Sequence, residues 1–146
     1  FYTNEDLHSI ATYLKTLPPQ APTEKPSTGL GTRTLQPMLE RGASVYANAC
    51  ANCHGKQGEG VANTHPALRN NSNLNAPNPA NVIRMVLNGG FPPSTIENPY
   101  PHGMPPYRAA LSDAEIAAVV TYVRQSWGNT GSGVAPAEIN KLRSLD

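Results

Sequence analysis

Two cysteines and a histidine lie within five consecutive residues, Cys50-Ala51-Asn52-Cys53-His54. This spacing is typical of a c-type haem attachment site, in which each thiol forms a thioether bond with a vinyl group of the porphyrin. The imidazole that follows then lies under the iron and binds it as an axial ligand. The sequence therefore predicts one covalent haem c, attached through Cys50 and Cys53, with His54 on the iron.

The chain contains only these two cysteines, and three other uses of them compete with haem attachment. A disulfide would close a loop too small to stabilise the fold appreciably. A thioredoxin-like redox pair requires a neighbouring βαβ pattern, and we find no strand runs to build one. A zinc site needs two more ligands; His65 and His102 could be offered, but nothing in the sequence pairs them.

The second axial ligand decides whether the iron has an open coordination position, and Met104 is the main candidate. It follows Gly103 in a proline-rich loop, residues 91–107, whose composition excludes regular structure. Thioether sulfur is an established haem ligand and raises the reduction potential. The sequence therefore predicts that this stiff loop brings Met104 to the iron. Three nearby side chains could contact haem propionates or simply pack at the surface: Tyr100, Tyr107 and Arg108.

Other methionines and histidines are alternative ligands to Met104. His102 is the leading alternative, although a solvent-facing loop histidine is the simpler interpretation. Met38 and Met85 lie on predicted helices among apolar residues, which favours core packing or, for Met85, a pocket wall. His65 precedes Pro66 and is badly placed for the distal side.

The proximal imidazole needs a hydrogen-bond acceptor to fix its orientation. We predict that Nδ1 of His54 donates to the backbone carbonyl of Pro66, in a loop that the proline keeps stiff.

Apolar periodicity predicts the helices that position these residues. They cover residues 3–17, the segment from Pro37 to the haem motif, 80–88, 112–127 and a short segment at 136–145. On the second of these, Gly42 would allow another helix to approach closely, with Tyr46 packed beside the contact.

The first predicted helix resembles the fourth. Residues 3–15 shifted by 109 fall on 112–124, so that Thr3 matches Ser112 and Tyr13 matches Tyr122. We interpret residues 1–17 as the last helix of a preceding copy of the same domain; the alternative is that any two amphipathic helices look alike. The predicted division is this helix, a linker at 18–35, a domain at 36–129 and a C-terminal tail at 130–146.

Together these residues resemble the class I cytochrome c family. The matching elements are Gly42, Tyr46, the haem motif, Pro66, Leu68, Met104 with its prolines, and Tyr122. The resemblance implies an all-α fold with helices wrapped around one covalently bound haem and crossing first and last helices. It also implies one-electron transfer, with Pro66 supporting His54, and His54 and Met104 as the iron ligands.

Three runs resemble, more narrowly, the multi-haem cytochrome subunits of bacterial membrane-associated alcohol and gluconate dehydrogenases. They are residues 86–90, 103–107 and 122–129. Such subunits carry three tandem cytochrome domains, accept electrons from a quinoprotein or flavoprotein, and pass them to ubiquinone or another haem. The resemblance thus implies an electron-carrying domain rather than an enzyme, located in the periplasm or at the outer face of the cytoplasmic membrane. Its partners would be a dehydrogenase subunit, further cytochrome domains, and a quinone or oxidase.

Two alternative functions remain at this point. A haem peroxidase or reductase, or a haem-based sensor, would require a distal ligand that is missing or easily displaced.

The net charge and hydropathy of the chain bear on two classes of partner, nucleic acid and membranes. The net charge is +1, so no basic footprint for nucleic acid stands out. No apolar run approaches the roughly 20 residues needed to span a bilayer, which leaves membrane contact through a complex. The chain starts without a methionine or signal peptide, so we expect a processed product or a fragment.

Overall fold

The computed structural model describes residues 2–18, 30–96 and 99–145. The helices of this part are α1 (Asn4–Thr16), α2 (Thr32–Ala49), α3 (Ala51–His54), α4 (Ala80–Asn88), α5 (Asp113–Gln125) and α6 (Pro136–Arg143). Outside the helices, its only extended pairings are isolated bridges, such as Gly90 with Met104. The all-α fold predicted from the sequence is confirmed.

Helix α2 begins five residues earlier than predicted, at Thr32 instead of Pro37. Proline lacks an N–H and its ring crowds the carbonyl four residues before it, which made Pro37 look like a helix start. The residue four positions before Pro37 is Arg33, the second residue of the helix. Only one helical hydrogen bond, to the Arg33 carbonyl, is therefore lost. The predicted linker therefore ends inside α2, and its residues 19–29 lie outside the described part.

The crossing of α2 and α5 occurs at Gly42, as predicted. A Cβ atom built on Gly42 would overlap the carbonyl oxygen of Ala118 and lie 2.6 Å from Cβ of Tyr122. The two backbones can approach this closely only because glycine has no side chain.

Helix α5 is the centre of the apolar core. One buried cluster joins it to α4 and α6: Ile83, Leu87, Ile116, Ala117, Val120, Val134 and Ile139. A second cluster joins it to α2 and the loop before α4: Tyr46, Leu74, Val119 and Val123. Complete burial of one aliphatic side chain contributes about 1.5–3 kcal/mol, so these contacts dominate the packing of the fold.

The C-terminal segment packs into the same core. Val134 and Ile139, within the residues predicted as a tail, have no exposed surface. Arg143 of α6 forms an ion pair with Asp113 at 2.7 Å and donates to the carbonyl of Leu111 at 3.0 Å. This part of the predicted tail therefore covers one side of α5.

Helix α1 has the same N-terminal cap as α5 but a different environment. The Thr3 hydroxyl accepts from the Asp6 N–H while the Asp6 carboxylate accepts from Thr3, and Ser112 and Glu115 make the same reciprocal pair. Among the described residues, however, α1 contains no buried one. Three of its apolar side chains are about half exposed or more: Ile10 (47%), Tyr13 (64%) and Leu14 (57%).

A membrane-spanning helix was not expected, and none of the described helices is long and apolar enough to be one.

Replacement of Gly42 by alanine should destabilise the fold, because the new methyl group would meet backbone atoms of α5. We expect the free energy of unfolding to fall by about 1–3 kcal/mol, the range for overpacked cores. Guanidinium unfolding of the haem-loaded protein, followed by circular dichroism, measures this change. Gly31→Ala is the matched control, since nothing lies within 4 Å of its added Cβ; equal effects of the two substitutions would contradict the close crossing.

Candidate haem site

The predicted attachment residues lie where α2 ends. Cys50 stands between α2 and the short helix α3, and its backbone (φ −122°, ψ −38°) breaks the helical path between them. Cys53 and His54 follow on α3. Both thiols are free; Cys50 is partly buried and Cys53 is exposed. Burial, together with the nearby Cys53, raises the pKa of the Cys50 thiol to about 11.

The His54 imidazole is oriented by the loop that follows it. Its Nδ1 lies 3.0 Å from the carbonyl oxygen of Pro66, the contact anticipated from the sequence. A carbonyl can only accept, so Nδ1 carries the proton and Nε2 is left with a lone pair for a metal. Gly60 makes this loop geometry possible: it has a positive φ of 66°, and a Cβ there would lie 2.5 Å from the His65 carbonyl oxygen.

Three aromatic rings, those of Tyr46, Tyr122 and Trp127, pack together next to the end of the haem motif. The Tyr46 ring lies 4.9 Å from the Trp127 ring and 5.6 Å from that of Tyr122. Its hydroxyl donates to the Gly55 carbonyl at 2.5 Å, directly after His54. Burial, with a smaller contribution from Cys50, raises the pKa of Tyr46 to about 12. The hydroxyl is therefore a permanent donor that connects the end of the haem motif to the α2–α5 contact.

Met104, the predicted distal ligand, has a fixed backbone. Its N–H donates to the Gly90 carbonyl at 2.8 Å, and the Gly90 N–H donates back at 3.0 Å. Gly89, with a φ of 67°, lies directly against the Met104 carbonyl, and the ring of Phe91 covers Gly103. The end of α4 therefore determines where the Met104 segment runs, and the Met104 side chain is partly buried.

Tyr107 connects this segment to the haem motif. Its hydroxyl donates to the carbonyl of Ala49 at 2.6 Å, one residue before Cys50, and its N–H donates to Val86 at 3.0 Å. Burial, then Cys50 and Cys53, raises the pKa of this phenol. The sequence offered pocket or surface roles for Tyr107 but contained no signal for this hydrogen bond between distant segments.

The other two side chains considered with Tyr107 take different positions. Tyr100 is 87% exposed. Arg108 donates to the Asn88 side chain at 2.9 and 3.2 Å and to the Arg143 carbonyl at 2.8 Å, so it joins the ends of α4 and α6.

The alternative ligands are resolved as follows. Met38 packs against the first core cluster, as predicted. Met85 is 47% exposed, so its core interpretation is wrong, whereas its interpretation as a pocket wall stays a prediction. Nothing in the sequence paired His65 with His102, but the structure brings their ring centroids to within 5.3 Å of each other. The described residues contain no group of three or more His, Cys, Asp or Glu side chains that could hold a metal ion.

Two buried polar residues that the sequence did not single out, Asn129 and Arg124, hold a loop near the site in place. Asn129 donates to the carbonyls of Leu68 and Val123 at 2.9 and 2.7 Å, and its side-chain oxygen accepts from Asn71. Arg124 donates to the carbonyl of Ala76 at 3.0 Å, and burial lowers its pKa. Both side chains hold the asparagine-rich loop of residues 68–76 against α5.

The sequence profile of the cytochrome c family matches residues 39–127. The chain belongs to the cytochrome c family. Haem-mediated electron transfer is the activity of this family.

Curated relatives of this cytochrome c domain are subunits of dehydrogenases. The alcohol dehydrogenase (quinone) cytochrome c subunit of Gluconacetobacter polyoxogenes is 38% identical over 149 residues, covering 98% of this chain and 32% of that protein. The same subunit of Gluconobacter oxydans is 34% identical, covering 98% and 31%. The gluconate 2-dehydrogenase cytochrome c subunit of Pantoea cypripedii is 34% identical, covering 68% and 23%. The chain thus spans about a third of the length of the first two.

The residues present fit the covalent haem c that the family implies. Cys50 and Cys53 provide two free thiols, and His54 has its Nδ1 occupied by Pro66, which leaves Nε2 available. Imidazole nitrogen and thioether sulfur form a donor set suited to haem iron.

Tyr107→Phe removes the hydroxyl donor from the Ala49 carbonyl without changing the ring. We expect the free energy of unfolding of the cytochrome to fall by about 1–2 kcal/mol, the usual cost of an unmatched, partly buried acceptor. Denaturant unfolding measures it. Tyr100→Phe, at an exposed ring, should change stability by less than about 0.5 kcal/mol; if the two variants behave alike, the Tyr107 hydrogen bond is unimportant.

Proposed function

We propose that this domain transfers single electrons through a six-coordinate haem c, attached to Cys50 and Cys53, with His54 and Met104 as axial ligands. The observation that carries the proposal is the 3.0 Å contact between His54 Nδ1 and the Pro66 carbonyl. An acceptor at Nδ1 fixes the ring and increases the basicity of Nε2, as is usual for ligating histidines.

The chain's own residues would keep the ligands in one place through changes of oxidation state. When bound, the haem supplies the redox-active iron. Pro66 holds the His54 ring, and Gly90 holds the Met104 backbone through two hydrogen bonds. Tyr107 keeps the Met104 segment attached to the end of α2. A site that rearranges little favours rapid electron transfer over substrate binding.

The alternatives, a haem enzyme or a sensor, need a distal position that opens. The paired backbone of Gly90 and Met104 favours a fixed distal segment, because movement of the whole segment would break two hydrogen bonds.

Met104→Ala provides the test of the ligand assignment. We expect the sulfur–iron charge-transfer band of the oxidised protein to disappear, carbon monoxide to bind the reduced form, and the reduction potential to fall by about 0.1 V or more. Met38→Leu, at a methionine that packs against the first core cluster, is the matched control and should leave all three unchanged. A wild-type protein that binds carbon monoxide readily would favour an enzyme or sensor, and an unchanged spectrum in Met104→Ala would exclude Met104 as ligand.

We further infer that α1 is the last helix of a preceding cytochrome domain. The exposed Ile10, Tyr13 and Leu14 correspond, at an offset of 109, to Val119, Tyr122 and Val123. In α5 these positions pack against α2, whereas in α1 they face no partner among the described residues. The relatives' length, about three times that of this chain, supports further domains.

We infer that the domain lies within an electron relay. Its residues 36–129, extended through α6, would form a cytochrome unit that receives electrons from a dehydrogenase subunit or a neighbouring haem. A quinone, another haem or an oxidase would accept them. We infer export to the periplasm, or to the outer face of the cytoplasmic membrane, because haem is attached to motifs of this kind outside the cytoplasm.

Leu14→Asp tests the assignment of α1 in the full-length gene product. In the full-length wild type we expect a pyridine haemochrome assay to give more than one haem per chain. In the full-length variant we expect the free energy of unfolding to fall by about 2 kcal/mol or more, because a charge would replace a buried leucine. In the present chain, where Leu14 is exposed, the change should be under about 0.5 kcal/mol. Leu145→Asp, at an equally exposed position, is the control. A single haem per full-length chain would refute the assignment.

A further inference from the structure

Two histidines from separate loops lie side by side near the proposed haem ligands. His65 closes a turn with Val61, in which each N–H donates to the other residue's carbonyl at 2.9 Å. His102 stands two residues before Met104, on the segment paired with Gly90. The ring centroids of His65 and His102 are 5.3 Å apart, with an angle of 53° between the ring planes.

This separation suits two imidazoles that share one metal ion. A metal about 2.1 Å from a ring nitrogen lies about 3.2 Å from that ring's centroid, so two rings at a tetrahedral angle have centroids about 5.2 Å apart. Packed rings without a metal also lie about 4.5–7 Å apart, so the distance permits a shared ion, and it is an unmatched nitrogen of the pair, within the described residues, that favours one.

One nitrogen of the pair lacks the hydrogen bond that buried polar atoms normally make. Within the described part of the chain, Nδ1 of His65 is buried and has no hydrogen-bond partner. An unmatched buried nitrogen is unfavourable, and a ligand bond would compensate it. The His102 ring is exposed, which leaves an entry path from solvent.

We propose that His65 and His102 form a binding site for one late first-row divalent cation. Imidazole favours Zn²⁺, Ni²⁺ and Cu²⁺ over Mg²⁺ and Ca²⁺, which prefer oxygen. The described residues add no third His, Cys, Asp or Glu suited to the ion, so water completes its coordination. These are the two histidines that the zinc interpretation of the cysteines would also have used, but the site proposed here does not involve Cys50 or Cys53.

A cation at this site would connect the loop of Pro66 to the loop of Met104. His65 directly precedes Pro66, and His102 lies two residues before Met104. A cation bound by both histidines would therefore slow any movement that carries the Met104 segment away from the proximal loop. The binding site itself is independent of the proposed function, whereas this effect rests on Met104 being the distal ligand.

Zn²⁺ is the probe, because it has no redox chemistry that would change the haem. Calorimetry on the haem-loaded, chelator-treated protein should give one Zn²⁺ per chain. His65→Gln and His102→Gln should each weaken binding at least tenfold, with unfolding temperatures recorded to show that both variants fold. His8→Gln, at an exposed histidine on α1, should leave binding unchanged. Absence of saturable binding, or binding that persists in both variants, would overturn the site; His102→Gln alone suffices for this test, since its ring is exposed.

A second measurement separates this proposal from the proposed function. Nitric oxide displaces a thioether from ferric haem and is not consumed by Zn²⁺, so its binding rate reports on release of Met104. We expect saturating Zn²⁺ to slow it at least threefold in the wild type and to have no effect in His102→Gln. Unchanged rates with Zn²⁺ bound would refute the connection between the loops. If Met104 is not the ligand, Met104→Ala leaves the spectrum unchanged while the Zn²⁺ isotherm remains.

Discussion

The close contact of α2 with α5 at Gly42 is the constraint on which the rest of this structure depends. Without a side chain at Gly42, the α2 backbone reaches the Ala118 carbonyl, and Tyr46 meets Tyr122 and Trp127. Helix α5 is itself fixed by apolar contacts to α4 and α6. The haem motif begins where α2 ends, so its position follows from this single crossing.

Loops rather than helices carry most of the candidate ligand environment, and a few hydrogen bonds determine their course. Pro66 accepts from His54, Gly90 pairs with Met104, and Tyr107 donates to Ala49. Each bond joins segments that are separated along the chain, and only the bond of Tyr107 to Ala49 spans the motif. Glycines with positive φ, such as Gly60 and Gly89, allow the backbones to approach closely enough for these contacts. The loops can therefore be well positioned although the described residues form no sheet.

Helices with similar sequences are buried to different extents in this protein. Helices α1 and α5 share a reciprocal capping box and an apolar face, but in the described part of the chain only α5 has buried residues on that face. The C-terminal segment, which looked like a tail, fills part of the core through Val134 and Ile139. Local sequence thus specifies helices well, while burial depends on what else is present to pack against.

Local signals in the sequence were sufficient for much of this protein. Periodicity and capping residues predicted α4 and α5 closely. The spacing of Cys50, Cys53 and His54 indicated haem chemistry, because two thioether bonds and one iron ligand come from neighbouring residues. The contact of His54 with Pro66 was also foreseeable, since both lie within twelve residues. The start of α2, by contrast, was misjudged because one proline near a helix end costs only one hydrogen bond. Tertiary structure alone decided that Tyr107 reaches Ala49, that Met85 is exposed and that His65 meets His102. These outcomes depend on contacts between distant segments, and no short-range pattern encodes which loops the packing of α4 and α5 brings together.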